Sequence, residues 1–485
     1  MRIKAVLHYL GLIIVIVGAA MVIPLLWSLA AKEPQAIAAF AASMAISILT
    51  GLILWHFIKV KEKNISRSEA VTLVAFGWIS ISLFGALPYV LCGALPNFLD
   101  AFFESVSGFT TTGATVLADI DAQFKGLLIW RSLTQWLGGM GIIMLFVALL
   151  PLLGIGAARL AEAEWTGGKQ EERPTSRMRD TAKALWIIYM GMTILEFILL
   201  KIAGLSVFDS TVVTLSTIPS GGFAAYNLSI GAYNSLFVEG IILFFMIASG
   251  INFGLYYFLL WKKKPQRLLK NPEFRFYILL LCLAAIIINL DLIINMGLSI
   301  GDAIRYGGFQ TAAVMSTTGF FTADFNLWPP LSKAILLFLM VSGASAGSTS
   351  GALKVVRILL LAKYAYRQIK IVFNPSAVIP LKLGGNIIPE NIVNKTIGMA
   401  IIYFSVAVTG FLIMSGLGLD TVTALSSVIA SLGNIGPGLG MVGPIENYAA
   451  IPAVGKGTLI FCMIAGRLEF FTILMLFLPA FWRWK

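Results

Sequence analysis

Ten apolar runs dominate the chain, at roughly residues 8–31, 36–58, 69–95, 126–152, 182–204, 235–261, 274–297, 331–361, 392–416 and 455–481. Each is close to or beyond the ~20 residues that a helix needs to cross a bilayer core. The short alternating segments of a membrane barrel are absent from this pattern. It predicts an all-α integral membrane protein with about ten transmembrane helices. The opening run, in MRIKAVLHYLGLIIVIVGAAMVIPLLWSLA, is too long for the apolar part of a signal peptide and reads as a first spanning helix.

A second pattern lies between the runs. After the third, fifth, seventh and ninth comes a short apolar stretch too short to cross, then a break rich in Gly, Ser and Thr. The short stretches are NFLDAFFESVSG, FDSTVVTL, IGDAIRYGGFQTAAV and GLDTVTALSSVIA; the breaks are FTTTGAT, STIPSGGF, MSTTGFF and SLGNIGPG. Aligned on one glycine each, they fall at Gly113, Gly222, Gly319 and Gly436. A period near 100 residues marks a repeated unit. The unit is span, half-helix, glycine break, span, used four times. It divides the chain into two N-terminal helices (1–64) and repeats at 65–160, 161–265, 266–375 and 376–485. Asp100, Asp209, Asp302 and Asp420 stand near the start of each half-helix, where an Asp is expected to cap the N-terminus.

Composition and charge set the orientation. The chain is 58% hydrophobic and 12% charged, with a mean hydropathy of +0.90. The termini and the loops 59–69, 153–183, 262–275, 354–370 and 382–395 hold 27 of the 35 Lys and Arg but 9 of the 23 acids. Basic loops stay in the cytoplasm, so both termini are expected inside, and the net charge of +12 calls for no nucleic-acid partner. The opposite face is acidic, with Asp100, Asp119, Asp121, Asp302, Asp324, Asp420 and Glu446. Those acids are either a rim that concentrates cations or ordinary solvated loop ends. Cys92, Cys282 and Cys462 are far apart and read as small core residues, not as a disulfide or zinc framework.

Non-helical backbone at membrane depth is tolerated only where it lines a watery path or is buried in protein. A half-helix entering from outside aims its partly negative C-terminal end at the membrane centre. Four such ends followed by extended segments would form a ring of carbonyl dipoles able to replace an ion's hydration shell. Glycine permits the positive φ that such a turn requires. The candidate filter residues are Thr110, Thr111, Thr112 and Gly113; Ile218, Pro219, Ser220, Gly221 and Gly222; Ser316, Thr317, Thr318 and Gly319; and Gly433, Asn434, Ile435 and Gly436. The hydroxyls in these segments add polar atoms without charge.

Two further features lie inside spans. SGASAGSTSGALK (342–354) has Gly343, Gly347 and Gly351 every four residues, with Ala344, Ser345, Ala346, Ser348, Thr349 and Ser350 between them. It is either a small-residue helix-packing face or a broken helix, since glycine and serine lower the cost of leaving the helix. Arg467 lies in the last run, where a charge usually faces an interior or a water-filled cavity. Glu469 is two residues away, too close in sequence to share a helix face with it, so a partner such as Glu104 is the alternative to a pore-facing role. Glu196 and Asp291 also lie within spans, with no partner assignable. The two histidines, His8 and His56, lie outside the repeats, and no nucleotide-binding or hydrolase motif is present. The expected class is not an enzyme.

The four breaks, RSLTQWLGGMGI (131–142) and SGASAGSTSGALK together resemble TrkH-type potassium uptake proteins of the Trk, Ktr and HKT cation-transporter superfamily, over essentially the whole chain. The resemblance implies four concatenated helix–pore-helix–helix repeats around a pseudo-fourfold pore, preceded by two helices. It maps the family's filter glycines onto Gly113, Gly222, Gly319 and Gly436. The first is serine in sodium-selective plant relatives, so glycine here favours potassium. IPSGG and NIGPG depart from the TTTG pattern. The resemblance also implies a gate loop at 343–351, an arginine below the filter at Arg467, and a homodimer in a bacterial inner membrane. No cofactor is expected beyond potassium ions in the filter. Gating would come from a TrkA-like cytoplasmic ring of nucleotide-binding RCK domains, for which the basic loops 262–275 and 354–370 are candidate docking surfaces. The rival is a potassium symporter coupled to protons or sodium.

Overall fold

The computed structural model of the chain describes residues 2–58, 60, 66–149 and 178–483; most of the basic loop 153–183 lies outside them. The elements run α1 (Ile3–Ala20), α2 (Val22–Ala31), α3 (Pro34–Phe57), α4 (Arg67–Gly85), α5 (Leu87–Leu91), α6 (Phe98–Phe109), α7 (Lys125–Leu149), α8 (Met178–Ile202), α9 (Val207–Thr217), α10 (Leu236–Ser249) and α11 (Phe253–Leu260). They continue with α12 (Pro265–Lys270), α13 (Pro272–Met296), α14 (Ile300–Met315), α15 (Pro330–Ser342), α16 (Val355–Phe373), a small hairpin β1 (Lys382–Leu383) and β2 (Asn386–Ile387), α17 (Glu390–Gly416), α18 (Thr421–Gly433), α19 (Ala453–Arg467), α20 (Phe470–Leu474) and α21 (Pro479–Arg483). The fold is an all-α membrane protein.

Every predicted apolar run contains helix, but not every one is a straight span. Among the described residues, six helices are long and apolar enough to cross: Ile3–Ala31, Pro34–Phe57, Ser68–Leu91, Ala182–Ile202, Pro272–Met296 and Glu390–Gly416. Two more runs are bent pairs, α10 with α11 at 99° and Ala453–Arg467 with Phe470–Phe477 at 116°. Both are continuous runs in the sequence. The run at 331–361 is interrupted between Ser342 and Val355, and its second half extends to Phe373. Residues 354–370, expected as a basic loop, are therefore mostly the helix α16.

Local chemistry accounts for many boundaries. Ser66 and Glu69 close a capping box at the start of α4. Asn271 caps α13 with Pro272 at its first position, where a missing N–H costs nothing. The first two spans touch through glycine: a Cβ on Gly11 would lie 2.7 Å from the Gly51 carbonyl oxygen, so the backbones approach as closely as small residues allow. Cys92 and Cys462 are buried as expected, whereas Cys282 is exposed on α13. Lipid tails accept a thiol-bearing side chain there as readily as the core does.

The half-helices α6, α9, α14 and α18 are largely buried, most of all towards their C-terminal ends. In α18 everything from Ser426 to Gly433 is buried. The caps differ from those expected. Asn97, Ser206 and Ser299 cap α6, α9 and α14, and only Asp420 is itself a cap. Asp209 and Asp302 sit three residues in, where each accepts a hydrogen bond from its capping serine. Their carboxylates face the partly positive helix end, which explains an acid at that place without its being the cap. Asp100 pairs instead with Lys456 at 2.5 Å.

Candidate functional site

The four half-helices end alike. Thr111, Ser220, Thr317 and Asn434 are left-handed, with φ of 54°, 55°, 60° and 52°. Each donates its N–H to the carbonyl three residues back, namely Gly108, Thr217, Val314 and Ser431. The next residue, Thr112, Gly221, Thr318 or Ile435, donates to the carbonyl five back, on Ser107, Ser216, Ala313 and Ala430. These paired bonds form a Schellman motif, which stops a helix and turns the chain away. Asparagine tolerates the left-handed region, but β-branched threonine is strained there. Two residues later the backbone is again at positive φ, at Gly113 (81°), Gly222 (80°), Gly319 (76°) and Gly436 (98°).

Those glycines form a closed cycle. A Cβ on Gly113 would lie 2.2 Å from the Gly221 carbonyl oxygen, and one on Gly222 would lie 1.9 Å from that of Thr318. One on Gly319 would lie 1.8 Å from that of Ile435, and one on Gly436 would lie 2.8 Å from that of Thr112. Each glycine thus abuts the carbonyl just before the glycine of the next quarter, and the fourth returns to the first. The residues Thr110–Gly113, Ile218–Gly222, Ser316–Gly319 and Asn434–Gly436 come together around one axis. Gly433 is the last residue of α18. All these residues are buried except for intermediate exposure at Gly113 and Gly222. A cavity above the ring is lined by Ala114, Thr115, Phe223, Phe321, Pro437 and Glu446, among others.

Below the ring lies the segment 343–354. Gly343, Gly347, Ala352 and Lys354 have φ of 61°, 72°, 60° and 74°, so this run is a broken helix and not a small-residue packing face. It is tied to three quarters. The Thr349 hydroxyl lies 2.6 Å from the Ser220 hydroxyl and donates to the Ile218 carbonyl at 3.0 Å. The Gly351 N–H donates to the Thr317 hydroxyl at 3.0 Å. A Cβ on Gly351 would lie 2.3 Å from the Gly433 carbonyl oxygen. From the other side, Glu273 accepts the Ala346 N–H at 2.6 Å. The bend at α10/α11 meets the same segment: Ser345 donates to the Gly250 carbonyl and Phe253 donates to that of Gly347. Breaking those two spans frees backbone groups, and each break satisfies the other's.

Arg467, at the end of α19, is 3% exposed and donates to the Thr349 carbonyl at 2.7 Å. Its Nε and its other terminal nitrogen have no hydrogen-bond partner among the described residues. Glu469 pairs with Arg357 at 2.7 Å and Glu104 pairs with Arg131, so neither acid serves Arg467.

A family model described as TrkH, cation transport protein, matches residues 36–483. The chain belongs to the TrkH family. It is 37% identical over the full length of both chains to the Trk system potassium uptake protein TrkH of Salmonella typhimurium, and equally to that of Escherichia coli K12. It is 30% identical over 99% of each chain to TrkG of Escherichia coli K12. The crystal structure of the potassium transporter TrkH from Vibrio parahaemolyticus matches at a TM-score of 0.90 with 34% identity, covering all of both chains.

Within this TrkH-family chain the structure adds site residues that the sequence reading missed. Arg131 and Glu104, both fully buried, form an ion pair at 2.9 Å. Arg131 also donates to the Ala224 carbonyl at 3.2 Å and the Thr115 hydroxyl at 3.2 Å, and its guanidinium lies 4.1 Å from the Phe223 ring centroid. Glu104 accepts from the Val116 N–H at 2.9 Å. The pair thus braces the backbone just past the first and second glycines. The available signal was an arginine inside an apolar run of the first repeat, 27 residues after an apolar-flanked glutamate of the same repeat. Asp291 accepts from the Ser332 N–H and hydroxyl and from Asn295. Glu196 is buried, with neither oxygen hydrogen-bonded among the described residues.

Asn227, which lines the cavity above the ring, donates to Asp119 at 2.9 Å and to Asp121 at 3.1 Å. The Asn227 amide holds the Asp119 carboxyl below the usual carboxylate range, so this exposed acid stays charged at neutral pH. Most other acids of that face have local duties in caps or pairs, which favours the loop-end reading for them; Glu446 lines the cavity above the ring.

Proposed function

We propose that this chain is a potassium uptake protein, a channel-like translocating subunit whose selectivity filter is the ring of backbone carbonyls at Thr112, Gly221, Thr318 and Ile435. The observation that carries the reading is the closed cycle of glycine-to-carbonyl approaches, supported by relatives whose names state potassium uptake. Four left-handed turns at equivalent places lay four short strands side by side along an axis. Carbonyl oxygens facing that axis would replace the hydration shell of a potassium ion, which is the cargo and not a cofactor. The four half-helix ends add negative potential there.

Below the filter, residues 343–351 close the path, and Arg467 opposes cation occupancy while holding Thr349. The two guanidinium nitrogens without partners among the described residues fit a charge facing an aqueous path. Opening requires the Thr349 and Gly351 bonds to break. In this reading the protein works as a homodimer in a bacterial inner membrane with both termini in the cytoplasm. A TrkA-like ring of RCK domains acts on the gate from the cytoplasmic side.

Purified protein in liposomes, with potassium and sodium fluxes followed under a set gradient, tests the reading. Potassium-selective downhill flux, with selectivity lost in Gly113→Ser, is the expected outcome. Flux that requires a proton or sodium gradient would instead identify a symporter.

A further inference from the structure

The second quarter reads IPSGG where the first and third read TTTG and STTG. At the position before the filter glycine the other three quarters carry a side chain, on Thr112, Thr318 and Ile435, and the second carries none. The space is not empty. A Cβ on Gly221 would lie 2.4 Å from Gln135 Cδ and 2.5 Å from its Oε1. Gln135, fully buried on α7, occupies the place of the missing side chain.

Its amide is oriented by its partners. Nε2 donates to the Gly221 carbonyl at 2.7 Å, and Oε1 accepts the Phe223 N–H at 3.1 Å. The carbonyl can only accept and the N–H can only donate, so one orientation of the amide satisfies both. One turn earlier on the same helix face, Arg131 donates to the Ala224 carbonyl. Helix α7, which belongs to the first repeat, therefore grips the second filter strand at Gly221, Phe223 and Ala224. The Gly221 carbonyl oxygen so held is the one that Gly113 abuts.

We propose that Gln135 is a specificity-determining positioning residue, whose side-chain amide holds the second filter strand in register in place of a side chain at Gly221. The inference rests on the filter reading above. It explains the double glycine of IPSGG as a consequence of Gln135 instead of as a degenerate filter. It also makes one ring carbonyl unlike the rest, because part of its lone-pair density is committed to an amide donor. An ion that needs a tighter carbonyl cage meets a strand that cannot shift inward.

The test uses the full-length protein in liposomes and reads the ratio of potassium to sodium flux separately from the total rate. Gln135→Leu and Gln135→Glu keep the bulk of the side chain but remove the donor to the Gly221 carbonyl. Either is expected to lower the flux ratio by about tenfold or more, a loss that a purely structural role would not produce in the protein that still folds. Should Gln135→Leu fail to fold, a cycle with Gly221→Ala decides. Gly221→Ala alone should be disruptive, and in the Gln135→Ala background the same substitution should add little. Additive effects in that cycle would overturn the proposal, as would an unchanged flux ratio in Gln135→Glu. Gly113→Ser, run in parallel, separates the two ideas. If it lowers the ratio while the Gln135 variants do not, the inference fails alone. If neither lowers it, the filter reading fails and takes the inference with it.

Discussion

The four ring glycines are not equally constrained. A Cβ would meet a neighbouring carbonyl oxygen at 1.8 Å on Gly319 and 1.9 Å on Gly222, but at 2.8 Å on Gly436. Alanine at Gly319 or Gly222 is therefore expected to cost potassium-over-sodium selectivity at least about tenfold, roughly the effect of 1.4 kcal/mol of lost discrimination. Gly436→Ala should cost less than either. A flux ratio measured on the three variants checks the ranking. The buried pair Glu104–Arg131 makes a separate stability prediction. Glu104→Ala leaves Arg131 buried without its counter-ion, which costs about 3 kcal/mol or more. Denaturation of the purified protein in mixed micelles should show that loss, whereas Glu69→Ala, near an exposed arginine, should cost less.

The glycines themselves were legible as residues because their type and period carry the signal. Their partners were not. Gln135 and Arg131 were visible only as members of a family motif, since nothing in a sequence says that a helix of one repeat will reach the strand of the next. Arg467 was expected inside a continuous last span; it is the last residue of α19, where that run bends, and its partner there is a backbone carbonyl, which no residue type announces.

At the scale of elements, half-helices were legible as short apolar stretches, and their ends as glycine breaks. The Schellman turns at Thr111 and Thr317 were not, because threonine argues against a left-handed residue and tertiary packing overrides that preference. The bends at 99° and 116° were also hidden. The second falls at Arg467 and Glu469, read in the sequence only as charges within a span. At the first, the apolar run continues through the break, and segment 343–354 gives the freed backbone groups partners at Gly250 and Phe253. That segment is held to the ring mainly by Thr349 and Gly351. Thr349→Ala removes the contacts to the Ser220 hydroxyl and the Ile218 carbonyl, and Arg467→Ala removes the grip on the Thr349 carbonyl. Each is expected to raise potassium flux through the purified protein by several-fold, about 1 kcal/mol of lost closed-state stabilisation for one buried hydrogen bond. Flux at or below the wild-type level in both would show that the segment does not close the path.

At the scale of the whole molecule, one chain supplies all four segments of the ring, which leaves each quarter free to differ. Two quarters keep threonine-rich strands, one is rebuilt around Gln135 and one around Asn434, whose amide donates to the Thr112 hydroxyl at 3.0 Å and the Met463 carbonyl at 2.9 Å. A symmetric filter assembled from identical chains has no such freedom. The order of repeats and their direction around the axis follow from the glycine cycle and were not readable from spacing alone. The most direct measurement is the position of the ion. Crystals grown or soaked with thallium or rubidium in place of potassium should show anomalous density on the axis, coordinated by the carbonyls of Thr112, Gly221, Thr318 and Ile435. Density confined to the cavity above the ring, with none between those four carbonyls, would contradict a carbonyl filter at this place.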